Sequence, residues 1–233
     1  MNRLQTSSNE ASRPVLISFS GIDGSGKSTQ IKQLCERLQS AGLRVQLFAF
    51  WDNVVALSGL RAGFSHKYLQ SEGGIGSQDK PVKRNDKNRQ NWYLTLGRSG
   101  LYIFDAIALR KKLSSVMKAG ADVIVFDRYI YDQLATLPLH RSWAQAYARA
   151  ILNLVSHPDV AFVLDADPEA ARARKPEYPI DFLHRYRAAY LKLCDLAGLA
   201  LIPPMPVEDV QDAIAAKFEL FCGVRLPKPT AFA

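Results

Sequence analysis

The 233-residue sequence is poor in cysteine: it has only Cys35, Cys194 and Cys222, and no two of them form a C-x-x-C pair. An odd number of widely spaced cysteines argues against a disulfide framework and against a structural zinc site. We expect the three thiols to be small apolar residues of the interior. The histidines are few and scattered too, so the sequence predicts neither a histidine-based metal cluster nor a Ser-His-Asp arrangement.

Long apolar runs are also missing. A membrane-spanning helix needs about 20 consecutive apolar residues, and no such stretch occurs. The sequence begins with the polar stretch MNRLQTSSNEASRP, which lacks the apolar centre of a secretion signal. We therefore expect no membrane partner, a cytoplasmic protein, and a flexible tail over residues 1–12.

Positive charge is in excess, with a formal net charge of +8. Such an excess is typical of proteins that bind nucleic acid or a polyanionic small molecule. The basic residues cluster at 80–89 and 172–187, and neither cluster has the interleaved aromatic residues of a single-strand binder. The charge therefore favours a small-molecule substrate over nucleic acid.

Short apolar runs alternate with longer stretches of helical periodicity. We expect strands at 14–20, 44–50, 121–127, 159–167 and 199–203, and helices at 27–42, 91–119, 131–156, 179–197 and 206–221. This alternation predicts an α/β fold with a parallel sheet and helices on both faces. Within the second helix, Tyr102, Ala106, Leu109 and Leu113 form a stripe that we expect in the core.

The length suits one α/β domain. We expect that domain over 13–222, with an elaborated region at 51–95 and a tail at 223–233. Residues 71–90 are glycine-rich, charged and without periodicity, which predicts a long loop or lid.

The stretch GIDGSGKS, residues 21–28, lies between the first predicted strand and the first predicted helix and matches G-x-x-x-x-G-K-[ST]. Its glycines let the backbone curl so that several N–H groups point at one centre, and the helix that follows adds a partial positive charge. The motif therefore predicts a loop that holds the phosphates of ATP. An N-K-x-D guanine motif, which a GTPase would carry, is missing.

Within this motif, Lys27 should reach the β- and γ-phosphates and the Ser28 hydroxyl should ligate Mg²⁺. The residues that we expect to bind the nucleotide are Gly21, Asp23, Gly24, Ser25, Gly26, Lys27, Ser28 and Thr29, together with Arg172.

A second signal is VIVFDRY over 123–129, an apolar strand that ends in Asp127 with Arg128 next to it. A carboxylate at that edge can hold Mg²⁺ through water, and the neighbouring guanidinium can grip a second phosphate. The alternative is that Asp127 caps the following helix and pairs with Arg128.

A third signal is the basic stretch after the fourth predicted strand, where a helix should start near Pro168. The cations Arg172, Arg174 and Lys175 follow. On a mobile segment they can close over a transferring phosphoryl group and neutralise its charge. The alternative is a solvated basic helix face; the two interpretations weigh equally for Arg172, and the catalytic one is favoured for Arg174.

The segments SGIDGSGKSTQ, FDRY and RKPEYPIDFLHRYRAAYLKL, in this order and spacing, resemble the thymidylate kinases. The resemblance spans about 15–220 and is poor over 51–101. It implies a P-loop three-layer sandwich of about five parallel strands, a lid at 169–178, ATP and Mg²⁺ as cofactors, and a homodimer. It also implies roles for Asp23 at the sugar 3′-hydroxyl of the acceptor, for Asp127 and Arg128 as the family's DR pair, and for Arg174 as the lid arginine. The alternative for Asp23 is a hydrogen-bond acceptor that stabilises the loop.

The sequence departs from the family in the region that should bind the acceptor. After the second strand, AFWDNVVAL contains no arginine before Arg61, where the family has one that grips the acceptor phosphate. The family arginine that faces thymine falls near Asp105, and the family's S-x-x-A-Y-Q-G is replaced by residues 132–138, which begin with Asp132. Candidate replacements are Arg84, Arg89, Arg98 and Arg110, with Trp92, Tyr93 and Tyr102 as stacking groups, although Arg98 and Arg110 also fit a helix surface.

We therefore expect an enzyme, a nucleotide kinase that transfers phosphate from ATP to a nucleoside monophosphate, with dTMP as the leading acceptor. Lys27, Arg128, Arg174 and Asp127 are the expected catalytic residues, and Ser28 and Asp127 the expected metal contacts. One alternative keeps the fold and phosphorylates another nucleoside, nucleotide or small hydroxyl compound. Another is a non-catalytic nucleotide-binding module.

Overall fold

The computed structural model describes residues 13–53 and 92–227. Its strands are β1 (Val15–Ser20), β2 (Val45–Ala49), β3 (Val123–Asp127), β4 (Val160–Leu164) and β5 (Ala200–Ile202). Its helices are α1 (Lys27–Ser40), α2 (Phe50–Asn53), α3 (Trp92–Val116), α4 (Ile130–Leu134), α5 (Ser142–Leu154), α6 (Pro168–Arg174), α7 (Ile180–Ala197) and α8 (Val207–Cys222).

All five strands form one parallel sheet in the order β2-β3-β1-β4-β5. The central strand β1 pairs with β3 on one side and with β4 on the other. The loop that leaves the carboxyl end of β1 therefore lies between the loops that follow β3 and β4, and a ligand site in an open parallel sheet forms at that edge.

The apolar residues of β1 and β3 point alternately to two separate cores. Leu16 and Ile124 belong to a core built with α3, α5 and α7. Ile17 and Val125 belong to a second core, on the opposite face, built with α1 and α8. The sheet is therefore covered on both faces, and the expected three-layer α/β sandwich is confirmed.

The predicted stripe on α3 is also confirmed: Tyr102, Ala106, Leu109 and Leu113 are all buried. The single helix predicted over 131–156 is wrong. The chain forms α4, turns through residues 135–141 and starts again as α5. Pro138 lies inside that turn and has no backbone N–H to continue a helix, which explains the break.

The chain beyond α8 still contacts the second core. Leu226 is buried there, and its N–H donates to the Glu219 carboxylate at 2.8 Å. Of the three cysteines, Cys222 is buried, and Cys35 and Cys194 are half-buried. In residues 13–53 and 92–227, no helix has the length and apolar character to span a bilayer.

Candidate active site

The phosphate-loop motif lies between β1 and α1, as the sequence predicts. Gly26 precedes α1 with φ +88° and Gly24 has φ +85°, a left-handed region that residues with a Cβ rarely adopt. A Cβ added to Gly26 would meet nothing within 4 Å. The space in front of the helix is therefore open, as it must be for a phosphate to approach the backbone N–H groups.

Lys27 is buried beneath this loop. Its Nζ donates to the carbonyl oxygens of Gly21 at 2.9 Å and Ile22 at 2.8 Å. The pKa of Lys27 is lowered to about 8, chiefly by burial and then by the Arg128 charge, and the carboxylates of Asp23, Asp132 and Asp127 oppose part of that shift. A phosphate tail would offer this ammonium group a stronger acceptor than the neutral carbonyls.

Arg128 follows β3 in an uncommon conformation. With φ +67° it is the non-glycine residue of the described chain that has a positive φ, and its N–H donates to the Phe19 carbonyl at 2.9 Å. Its guanidinium bonds to the carboxylates of Asp23 in the phosphate loop and of Asp132 in α4. The structure thus brings Asp23 and Arg128, which are 105 residues apart in sequence, into one ion pair.

Asp132 is the site residue that sequence reasoning missed, since it was noted only as a departure from the family pattern. It is completely buried, and its carboxylate accepts from Ser20 at 2.7 Å, Tyr190 at 2.7 Å and Arg128 at 2.8 Å. No helical spacing pointed to it, because Arg128 lies before α4 with φ +67° and only Asp132 belongs to the helix.

Asp127 lies at the end of β3, half-buried, and burial raises the pKa of its carboxyl group. The alternative interpretation, in which Asp127 caps α4, is wrong. The residue at the N-cap of α4 is Tyr129, and its N–H donates to the Asp132 carboxylate. In residues 13–53 and 92–227, no group of three or more His, Cys, Asp or Glu side chains could hold a metal. Asp127 and Ser28 carry oxygen atoms, the kind of ligand that Mg²⁺ takes, and phosphate oxygens and water would have to supply the remaining ligands.

The predicted lid segment begins with the short helix α6. Asp167 caps it by accepting from the Ala170 N–H at 2.9 Å, and Pro168 occupies its first turn. Arg172 lines a pocket with Glu169, Ala173 and Ile180. Arg174 is exposed, and its Nε donates to the Ala170 carbonyl of its own helix at 3.2 Å. The structure therefore places Arg172 against a pocket and leaves Arg174 on the surface of α6.

Two contacts connect this part of the chain with the end of β4 and with the phosphate loop. The Arg187 guanidinium of α7 forms two bonds of 2.7 Å with Asp165, which directly follows β4. The Ala171 carbonyl of α6 packs on Gly24 of the phosphate loop. The segment 168–179 thus leaves the sheet at Asp165 and returns to it through α7.

A third polar group lies between α3 and α4. Asp105 and Gln133 are both buried, and the Gln133 amide donates to the Asp105 carboxylate at 2.5 Å. Tyr102 and Thr136 share a hydrogen bond of 2.7 Å beside them. Of the candidate replacements for the family's acceptor residues, Arg110 is exposed and Tyr102 is a core residue. Arg84 and Arg89, and the side chains of Trp92, Tyr93 and Arg98, lie outside the described part of the chain.

No protein-family model matches the sequence. A protein of Archaeoglobus fulgidus named "Probable thymidylate kinase" is 23% identical over 218 residues, which cover 91% of this chain and 98% of that protein. A protein of the same name from Methanocaldococcus jannaschii is 27% identical over 209 residues, which cover 86% and 93% of the two chains.

The crystal structure of thymidylate kinase from Ehrlichia chaffeensis superimposes with a TM-score of 0.55 at 16% identity and covers 88% of this chain and 99% of that one. The five-stranded parallel sheet, together with the glycine loop between β1 and α1, defines a P-loop NTPase fold. Within that class the resemblance found in the sequence is confirmed: over most of its length the chain is similar to proteins named thymidylate kinase.

Proposed function

We propose that the protein is a nucleotide kinase that transfers the γ-phosphoryl group of ATP to dTMP. A phosphate oxygen of dTMP forms the new bond to the γ-phosphorus, the bond to the β,γ-bridging oxygen breaks, and the products are dTDP and ADP. The observation that carries the proposal is the convergence of Lys27, Arg128 and Asp23 at the loop between β1 and α1. The names of the relatives at similar length support the choice of reaction.

The donor half of the site is the loop from Gly21 to Gly26 with Lys27. The backbone N–H groups and the positive end of α1 would hold the β- and γ-phosphates, and Lys27 would exchange its two loop carbonyls for phosphate oxygens. Ser28 and Asp127 would hold Mg²⁺, which when bound neutralises part of the phosphate charge, and Thr29 lies beside Ser28 at the same helix end.

The acceptor half is Arg128 with Asp23. A guanidinium has five N–H groups, and the two ion pairs engage one on each terminal nitrogen. The remaining N–H groups can orient the acceptor phosphate. Arg174 and Arg172 of α6 would stabilise the transferring group when the lid segment 169–178 closes over it.

One observation favours a second candidate, an enzyme that phosphorylates an uncharged acceptor such as a nucleoside or another hydroxyl compound. Arg128 is already paired with two carboxylates, and Asp105 adds a buried acidic group between α3 and α4. A neutral acceptor would not have to compete with these carboxylates for Arg128.

A panel of acceptors with γ-labelled ATP separates the two candidates. We expect label transfer to dTMP, with thymidine and other nucleosides inert. Transfer to a nucleoside or another hydroxyl compound with dTMP inert would establish the second candidate, and ATP binding without transfer to any acceptor would contradict both.

The organisation of the chain belongs to the same proposal. We propose a single kinase domain over 13–222 in a cytoplasmic protein that forms a homodimer. The exposed apolar side chains Ile103, Phe104 and Ile107 on α3 would supply the dimer contact.

A further inference from the structure

We propose that Asp132 is a positioning residue for the acceptor site, because its carboxylate fixes the Arg128 guanidinium in the place where an acceptor group binds. The inference rests on the proposed kinase function and extends it to a residue outside the expected set. Asp132 itself does not touch the reacting atoms; it acts through Arg128.

The first support is the completeness of the hydrogen bonding around Asp132. One carboxylate oxygen accepts from Arg128 and from the Tyr190 hydroxyl, and the other accepts from the Ser20 hydroxyl and from the Tyr129 N–H at 3.2 Å. A completely buried carboxylate with donors from β1, α7 and the start of α4 has one stable orientation. It can therefore serve as a fixed reference for the flexible arginine side chain.

The second support is the contrast between the two partners of Arg128. Asp132 is completely buried on a helix, whereas Asp23 is partly exposed and lies on the phosphate loop beside the open space at Gly26. An acceptor that approaches Arg128 can displace or rearrange the Asp23 contact, while the Asp132 contact stays in place. Arg128 thus has one permanent partner and one exchangeable partner.

The third support is the backbone of Arg128. Its positive φ is a conformation that carries a cost for a residue with a Cβ, and it persists only if its surroundings fix it. The N–H bond to Phe19 fixes the backbone and the bond to Asp132 fixes the far end of the side chain. Because both the backbone and the guanidinium of Arg128 are held in place, we infer that the direction of the guanidinium is important for binding the acceptor.

The test compares Asp132→Asn with the wild type in steady-state kinetics with ATP and dTMP. Asn keeps the size of the side chain and removes its charge. We expect the KM for dTMP to rise about tenfold, because a hydrogen bond between two charged groups is weakened, while the KM for ATP stays within about twofold. Equal changes in both KM values, or a fall in kcat alone, would overturn the positioning role.

A double-mutant cycle with Arg128→Lys tests whether Asp132 acts through Arg128. In the Arg128→Lys background, Asp132→Asn should change the KM for dTMP by less than about threefold. If the fold-change in the KM for dTMP of the double variant equals the product of the two single fold-changes, Asp132 and Arg128 act independently, which contradicts the inference.

A second pair of variants remains informative if Asp132→Asn does not fold. Tyr190→Phe removes a donor to the Asp132 carboxylate and should raise the KM for dTMP about threefold, the loss of one ordinary hydrogen bond. Tyr186→Phe is the matched control, because that hydroxyl donates at 2.6 Å to the backbone carbonyl of Asp132 and not to its carboxylate. Identical KM values for these two variants would count against the inference.

Failure of the inference and failure of the proposed function give different results. A wild-type protein that transfers phosphate to dTMP, with variants that show no selective rise in the KM for dTMP, contradicts only the role of Asp132. If dTMP is inert and another acceptor of the panel is active, the KM of each variant relative to the wild type is measured with that acceptor instead. A wild type without any transfer overturns both.

Discussion

The carbonyl oxygen of Ala171, in α6, lies closer than 3.0 Å to the point where Gly24 would carry a Cβ. The phosphate loop and the lid helix are therefore in direct backbone contact, with no side chain between them. Only glycine allows this approach, and Gly24 also has φ +85°.

Gly24→Ala should accordingly destabilise the protein and reduce phosphoryl transfer. The positive φ costs a residue with a Cβ about 1–2 kcal/mol, and the overlap with Ala171 adds about 1–3 kcal/mol. Gly42→Ala is the matched control, since Gly42 has φ +79° but a Cβ there would meet nothing within 4 Å. Urea denaturation measures the free energy of unfolding of both variants. Equal losses would show that the contact with Ala171 adjusts to the new methyl group without destabilising the protein.

Lys27→Ala should abolish transfer and leave the fold intact. The substitution removes the ammonium group that would contact the β- and γ-phosphates. It also removes a group whose charged form is disfavoured by burial, since its pKa is lowered to about 8. Circular dichroism and label transfer from ATP check the two halves of the prediction.

The control for this variant is Lys32→Ala on the same helix, whose side chain is exposed and lies 3.9 Å from Glu36. We expect it to keep full activity. A Lys27→Ala protein with undiminished transfer would refute the assignment of the phosphate loop.

Cys35 and Cys194 should react slowly with iodoacetamide at neutral pH. Burial raises the pKa of each thiol to about 11, with smaller contributions from Glu36 at Cys35 and from Asp195 at Cys194. Because only the thiolate reacts, about one thiol in a thousand is reactive at pH 8. Alkylation rates, read by mass spectrometry, should rise about tenfold per pH unit from 7 to 10. A rate that levels off above about pH 9.5, as expected for free cysteine with a pKa of about 8.5, would be inconsistent with these shifts.

Phe104→Glu should weaken the proposed homodimer. Phe104 is 57% exposed between Ile103 and Ile107, and a charge in the centre of an apolar contact opposes association. Sedimentation velocity across a range of concentrations measures the effect. Leu220→Glu is the control, because Leu220 is an exposed apolar residue on a different helix, α8; an equal effect of both changes, or a monomeric wild type, would rule out the α3 contact.

The sequence was sufficient to predict the five strands and the phosphate loop. Strands such as β3 are buried on both faces, so they read as uninterrupted apolar runs, and the glycine spacing before Lys27 depends on local backbone geometry alone. The strand order β2-β3-β1-β4-β5 was not predicted, because it depends on which runs pair over sequence separations that range from 38 residues between β4 and β5 to 143 between β1 and β4. The break between α4 and α5 was missed although Pro138 marks it in the sequence.

The site was only partly predictable for a related reason. Lys27, Asp127 and Arg128 belong to short sequence motifs. The role proposed for Asp132 depends instead on hydrogen bonds from Ser20 and Tyr190, which lie 112 and 58 residues away in the sequence. A buried carboxylate is identified by the hydrogen-bond donors around it. When those donors are distant in sequence, no local sequence pattern reveals them. The roles of Arg172 and Arg174 stay predictions.

The closed set of donors around Asp132 also constrains how the protein can diverge. A relative with a neutral residue at that position would leave the Ser20 and Tyr190 hydroxyls and one face of the arginine without an anionic acceptor. Natural variants should therefore exchange these positions together, so that homologous sequences fall into two groups, one with the acid and the tyrosine and one with neither.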